Sequence, residues 1–268
     1  MKILRFSSAT GAAWGVLEGD EIREISGSPF EGEIKKTGGR RALSGARLLA
    51  PVAPSKIVAI GLNYRAHAAE FDKGLPDEPM VFLKPSTSVI GPGDRIVYPS
   101  HMTRRVDYEG ELAVVFGRTA RDVPTEEAAD YILGYTCFND VTARDLQKLD
   151  VQYTRAKGFD TFSAIGPWIE TDLDPGDVRI ETRLNGEKRQ DASTSDMIFS
   201  VAELVSFVTH VMTMLPGDVI ATGTPSGVGK MKPGNTVEVT IEGIGTLRNT
   251  VAAREGGGLR RPFFGKRT

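Results

Sequence analysis

The stretch Asp107-Tyr108-Glu109-Gly110-Glu111-Leu112-Ala113-Val114-Val115-Phe116 joins two glutamates to an apolar run rich in β-branched residues. On a strand, residues i and i+2 share a face. Glu109 and Glu111 therefore point the same way, beside Ala113 and Val115. Two carboxylates on one partly buried face repel each other and lose hydration, so one takes up a proton or a cation neutralises the pair. A hard, oxygen-seeking cation such as Mg2+ or Mn2+ suits them, with Ca2+ a further candidate. Gly110 between them lets another chain segment approach closely. The plainer alternative is an edge strand whose glutamates face water.

A third acid shifts the balance. Thr136-Cys137-Phe138-Asn139-Asp140 is apolar up to an abrupt Asn-Asp. Asp140 stands where a strand ends, and Thr142 is placed to cap a helix beginning Ala143-Arg144-Asp145. An acid at that junction sits well above a strand end, although turn-forming Asp residues are common.

Around this nucleus the chain reads as β-rich. Lys56-Ile57-Val58-Ala59-Ile60 is a core strand ended by Gly61. Val178 to Leu184 alternates and meets Asn185-Gly186, a hairpin-turn signal. Val237, Val239 and Ile241 alternate with polar residues as a final half-buried strand. Two helical patterns stand out. Pro124 to Gly134 reads as a short helix with acid at its start and glycine at its end. Ser200-x-x-Glu203 is a capping box, followed by apolar residues at helical spacing through Leu215 to Pro216-Gly217. Strands outnumber helices without alternating with them, which argues against a doubly wound fold and for a β-rich α+β domain. Residues 1–50 form a small β-rich N-terminal region with a flexible joint at Gly38-Gly39-Arg40-Arg41. Residues 51–253 form the main domain and 254–268 a flexible tail.

With 268 residues, 40% hydrophobic and 25% charged, the chain can build a sizeable core without disulfides. The net charge of −2 gives no footprint for nucleic acid or an anionic membrane surface. The lone Cys137 cannot form an internal disulfide, and a cytoplasmic location is the simplest reading. No apolar run is long enough to span a bilayer.

Taken together, Gly61-Leu62-Asn63-Tyr64-x-x-His67-x-x-Glu70, Asp107-Tyr108-Glu109-x-Glu111, Phe138-Asn139-Asp140-Val141-Thr142-Ala143-Arg144-Asp145-x-Gln147, Lys157-Gly158-Phe159-Asp160 and Thr222-Gly223-Thr224-Pro225-x-Gly227-Val228-Gly229 resemble the fumarylacetoacetate hydrolase family. The resemblance covers about residues 51–253. It implies a mixed β-sandwich roll, a homodimer, and Mg2+ or Mn2+ held by Glu109, Glu111 and Asp140, with no organic cofactor. It also implies small 2-oxo or β-diketo acid substrates. The larger N-terminal domain of fumarylacetoacetase has no counterpart in the first 50 residues. The resemblance is therefore to the smaller relatives: acylpyruvate hydrolases, oxaloacetate decarboxylases and 2-hydroxyhepta-2,4-diene-1,7-dioate isomerases, several of them enzymes of aromatic-compound breakdown. C–C bond hydrolysis in an acylpyruvate-type acid is the reading placed first, with decarboxylation and isomerisation as alternatives. A non-catalytic, cation-stabilised binding module is the rival of another class.

His67 and Glu70 lie three apart and share a helix face. A carboxylate beside an imidazole raises its pKa and fixes its tautomer, which suits a general base. In the family such a pair resembles a dyad that activates water beneath a closing lid. The alternative is a surface contact on a solvated helix. His210 reads as a surface residue. By the same resemblance Lys157 stabilises a developing enolate and Gln147 meets substrate, while Arg144 either meets substrate or pairs with a structural carboxylate. Asp145 reads as a helix-start acid. Gly223 to Lys230 is Gly-rich without being a Walker A loop. Backbone N–H groups near Gly223 and the Thr224 hydroxyl are candidates to hold a substrate carboxylate. The alternative is a tight loop between elements.

Overall fold

The apolar run after Glu109 forms the buried strand Gly110–Phe116, covered along its whole length. Burial on both faces explains why it is apolar at successive rather than alternate positions. The computed structural model describes residues 1–70 and 74–256, with residues 68–70 described by their backbone alone. Gly110–Phe116 lies near the centre of a twelve-stranded sheet, antiparallel to Ile132–Asp140 on one side and Val219–Ala221 on the other. Beyond Val219–Ala221 come the parallel strand Ile57–Gly61 and the sheet-edge strand Met80–Lys84. On the other side, Ile132–Asp140 pairs with Ser163–Glu170. Lys2–Ser8 continues the sheet from there, with Lys2 opposite Glu170. Gly11–Glu18, Glu21–Ile25 and Lys36–Ala42 end this path as a meander, and two short strands off it, Leu48–Leu49 on Lys2–Ser8 and Val89–Ile90 on Ser163–Glu170, bring the sheet to twelve. Gly38 to Arg41 thus lie in a paired strand rather than in a flexible joint, because Arg40 and Arg41 register against Arg23 and Ile22.

A second sheet of five strands runs in the order Glu187–Ser193, Arg179–Leu184, Thr236–Ile241, Gly245–Ala253 and Arg95–Tyr98. It packs across the large sheet. Leu112, Val114 and Phe116 from one layer meet Ile180, Val239, Ile241 and Leu247 from the other. Leu204, Val205 and Val208 of helix Val201–Val211 close the same core. Ala113 and Val115 face the opposite side, against Ile57, Phe138 and Ile165. The result is a β-rich α+β fold, a mixed β-sandwich roll. Among the described residues no helix is long and apolar enough to cross a membrane.

Local chemistry explains most element ends. Asn185 and Gly186 turn the Arg179–Leu184 hairpin with φ of 53° and 80°, the positive values a two-residue turn requires. Ser200 and Glu203 cap Val201–Val211 reciprocally. That helix ends at Val211, short of Pro216, because Met212 is already extended and leaves Leu215 43% exposed. Thr125–Tyr131 is a run of 3-10 turns that enters strand at Ile132, so Gly134 ends no helix. Gly134 instead sits against the Glu170 backbone, where a Cβ would come within 2.4 Å of the carbonyl. Gly245–Ala253 follows Thr236–Ile241, which is therefore not the last strand. Of the expected tail, residues 257–268 lie outside the described residues.

Candidate metal and substrate site

The Asp107–Phe116 segment is not one strand. It breaks at Glu109: Val106–Tyr108 belongs to a three-stranded sheet with Thr142–Ala143 and Gly229–Met231, while Gly110–Phe116 belongs to the large sheet. The simple i, i+2 argument therefore does not place Glu109. Two hydrogen bonds do. Its N–H donates to Asn139 Oδ1 (3.0 Å), and its carbonyl accepts from the Asp140 N–H (2.8 Å). Between the two glutamates the backbone is approached closely by Thr182 and Gln190 of the second sheet. Gly110 makes that possible, because a Cβ there would come within 2.1 Å of Thr182 Oγ1. Gly110 N–H donates to Gln190 Oε1 (3.0 Å).

The structure brings Glu109, Glu111 and Asp140 together, with one carboxylate oxygen from each within 4.8 Å of the others and all three buried. Their compensation is uneven. Lys157 Nζ donates to Glu109 Oε2 (2.7 Å) and Asp140 Oδ2 (2.6 Å). Lys84, also buried, pairs with the second oxygen of Asp140. Arg144 pairs with Glu109 Oε1 and, through Nε, with Asp107 Oδ2 (2.9 Å). Glu111 receives the Gly223 N–H (3.0 Å) and, among the described residues, no ion pair. Burial, then the charges of Asp140 and Glu109, push its pKa well above the usual carboxylate range. Burial opposes ionisation of Glu109 too, but Lys157 and Arg144 outweigh it and hold that carboxyl low. Burial also opposes the charge on Lys157, and Asp140 and Glu109 prevail and raise its pKa. Three buried oxygen-donor acids, one left without a cationic partner, fit a hard divalent ion.

A pocket of about 250 Å³ opens on this cluster. Glu109, Glu111, Lys157, Arg144, Gln147, Lys148, His67 and Thr224 supply its polar lining, and Leu62, Met80, Phe82 and Tyr153 an apolar wall. His67 is buried on helix Arg65–Glu70, which excludes a solvated surface contact for it. The side chain of Glu70, its expected partner, lies outside the described residues. Lys157 is equally far from a surface lysine, at 2% exposure.

Arg144 is committed to carboxylates of the protein, and its remaining arm donates to Gln147 Oε1. The Gly223 N–H is committed to Glu111, and the Thr224 hydroxyl donates to Gly110 O (2.9 Å) while accepting from Gln190 Nε2 (2.8 Å). That loop braces the glutamates, so neither group is an idle donor. Asp145 stands in the first turn of helix Arg144–Leu149, and its carboxylate accepts from Thr103 and from the Arg104 N–H. The cap of helix Arg144–Leu149 is Ala143, because the Thr142 hydroxyl donates back to Asp140 O (2.9 Å). His210 is exposed. Sequence reading passed over Lys84, Asn139 and Gln190. The one signal for Lys84 was a lysine closing the apolar run Met80-Val81-Phe82-Leu83, directly before Pro85.

Residues 56–252 match the model of the fumarylacetoacetate (FAA) hydrolase C-terminal family, and residues 1–51 match an Rv2993c-like N-terminal model. The chain belongs to the fumarylacetoacetate hydrolase family. It is 47% identical to protein Rv2993c of Mycobacterium tuberculosis, over 95% of this chain and 99% of that one. It is 45% identical to oxaloacetate tautomerase YisK of Bacillus subtilis, over 78% of this chain and 74% of that one. The solved structure of 2-hydroxyhepta-2,4-diene-1,7-dioate isomerase from Mycobacterium marinum superposes with a TM-score of 0.89 at 46% identity, covering 96% of this chain and all of that one.

Proposed function

We propose that the protein is a divalent-metal-dependent enzyme that forms and uses the enolate of a small 2-oxo acid, with Mg2+ or Mn2+ held by Glu109, Glu111 and Asp140. The observation that carries this is the buried three-carboxylate cluster opening, beside Lys157 and His67, onto a pocket of about 250 Å³. That volume lies below the range usual for drug-sized ligands, which suits an acid of a few carbons. A bound cation would polarise the 2-oxo group and take up negative charge. Lys157 spends two of its three N–H donors on Glu109 and Asp140, and the third serves a developing oxyanion. His67 handles the proton in the same pocket. Met80, Phe82 and Tyr153 limit the water around it.

Hydrolytic C–C cleavage of an acylpyruvate-type acid is our first reading of how the reaction is completed. Water adds to the distal carbonyl and gives a proton to His67. The C–C bond then breaks, leaving its electron pair as an enolate that is reprotonated. Enol–keto proton transfer is the second reading. It is favoured by the names of the tautomerase and isomerase relatives, and it needs neither attacking water nor a partner for His67.

The test is turnover by Mg2+- or Mn2+-loaded protein of acetylpyruvate and of oxaloacetate, with Glu109→Ala and His67→Ala alongside. Acetylpyruvate cleavage that requires both residues supports the hydrolase. Faster enol–keto equilibration of oxaloacetate without cleavage supports the proton-transfer reading. Loss of CO2 that requires Glu109 and tolerates His67→Ala indicates a decarboxylase. Metal binding with no change in any 2-oxo acid would leave a binding module and overturn the proposal.

A further inference from the structure

Of the charged side chains that line the pocket, Glu109, Arg144 and Lys157 are held in ion pairs inside the protein, and Glu111 lies in the same carboxylate cluster. The carboxylates of Asp107, Glu109, Glu111 and Asp140 are matched in number by the cations of Lys84, Arg105, Arg144 and Lys157, all in contact with that cluster. Lys148 stands apart. It lines the same pocket, on helix Arg144–Leu149, and among the described residues no acid pairs with it. It follows Arg144 by four residues, so both lie on one helix face. The helix rise places it about 6 Å beyond Arg144 along the axis, while Arg144 is the residue that grips Glu109. A lysine in a last helical turn also complements the helix dipole. That role requires no place in a pocket wall and leaves its place in the lining unexplained.

Resting on the 2-oxo-acid reading above, we propose that Lys148 binds the distal carboxylate of the substrate. The site then selects small 2-oxo dicarboxylic acids over 2-oxo monocarboxylic acids. One end of such a molecule, the 2-oxo acid group, belongs at the carboxylate cluster. The other end is an anion one helical turn further on, and the short carbon chain between them lies along Leu62, Met80 and Phe82. With all four acids ionised, the cluster's own cations balance them, so a bound divalent cation adds positive charge that one substrate carboxylate does not cancel. A dianion does.

The probes are 2-oxoglutarate and 2-oxopentanoate, which share a five-carbon 2-oxo acid skeleton and differ in the distal carboxylate. Each is titrated calorimetrically into Mn2+-loaded wild type, Lys148→Gln and Lys148→Arg. Lys148 is exposed, so these changes leave folding intact. The expected result is a preference of wild type for the diacid by about tenfold, the scale of one charge-assisted hydrogen bond. Lys148→Gln erases that preference and Lys148→Arg keeps it. An unchanged preference in Lys148→Gln, or none in wild type, overturns the role of Lys148 while Mn2+-dependent binding of both acids upholds the 2-oxo-acid reading. If neither acid binds although Mn2+ does, the reading itself falls and this inference with it.

Discussion

Lys157 Nζ lies 2.6 Å from Asp140 Oδ2, with both side chains almost fully buried. The same ammonium reaches Glu109 Oε2 at 2.7 Å, so one cation ties together two acids that enter the site from different strand ends. Removing one member of a buried ion pair leaves an uncompensated charge and costs about 3–5 kcal/mol. Lys157→Met should therefore lower unfolding stability by that order in chelator-treated protein. Added Mn2+ should recover part of the loss by supplying positive charge to the same carboxylates. Denaturant unfolding with and without Mn2+ measures both. A variant as stable as wild type in chelator would show that the pair is not a structural clamp.

Glu111 responds in the opposite sense. It is buried beside two acids, and its raised pKa marks a carboxyl that resists ionisation in the absence of a cation. Glu111→Gln replaces it with a neutral group of the same shape whose amide oxygen keeps the Gly223 N–H bond. The metal-free protein should be as stable as wild type or more so. Stabilisation by Mn2+, which follows the ratio of its concentration to Kd, should largely disappear. Thermal melts across a Mn2+ series separate the two effects. A variant that melts lower without metal and still rises with Mn2+ would remove Glu111 from the ligand set.

Much of this was legible in the sequence. The strand identity of Gly110–Phe116, the capping box at Ser200 and the Asn185-Gly186 turn follow from spacing and residue type, while the meeting of Glu109, Glu111 and Asp140 was implied by the family motifs rather than by spacing. What stayed hidden depends on contacts between distant segments. The break at Glu109 is set by Asn139, thirty positions away, and a local pattern of alternating residues cannot register it. Lys84 carries no sequence signal beyond its place at the end of an apolar run, where a lysine can carry its charge back to water, yet it is buried against Asp140. Gly223 and Thr224 read as ligand donors because three glycines signal a cradle. The sequence cannot show that Glu111 and Gly110 take those bonds first.

Gly110 is a position where packing and site chemistry meet. An added methyl would approach Thr182 Oγ1 within 2.1 Å and Gln190 Oε1 within 3.2 Å. Thr182 is fully buried, so relief requires movement in the core. Overpacking of this kind costs about 1–3 kcal/mol. Gly110→Ala should lose that stability and, by displacing the backbone between the two glutamates, weaken Mn2+ binding as well. Calorimetric titration beside thermal melts tests the pairing. A stability loss with unchanged Mn2+ affinity would show that the glutamates are held independently of Gly110.

Asp218 supplies a pH dependence remote from the carboxylate cluster. Its Oδ1 accepts from Ser55 N (2.8 Å), Ser55 Oγ (2.7 Å) and Lys56 N (3.2 Å), and its Oδ2 from Lys56 Nζ (2.6 Å) and Leu215 N (2.9 Å). These bonds tie the start of Ile57–Gly61 to the start of its parallel neighbour Val219–Ala221. Burial favours the neutral acid, but the bonds from Lys56, Leu215 and Ser55 outweigh it and lower the pKa. A carboxyl whose pKa is lower folded than unfolded contributes its full stability above the unfolded value of about 3.9. It loses that contribution as pH falls through the folded value. Asp218→Asn should therefore cost about 1–3 kcal/mol near neutral pH, the scale of a charged acceptor lost from a buried network. The deficit relative to wild type should shrink as pH drops below about 4. Urea midpoints for both proteins across an acid series measure it, and a deficit that stays constant from neutral pH to well below 4 would rule out the ionised carboxylate as its source.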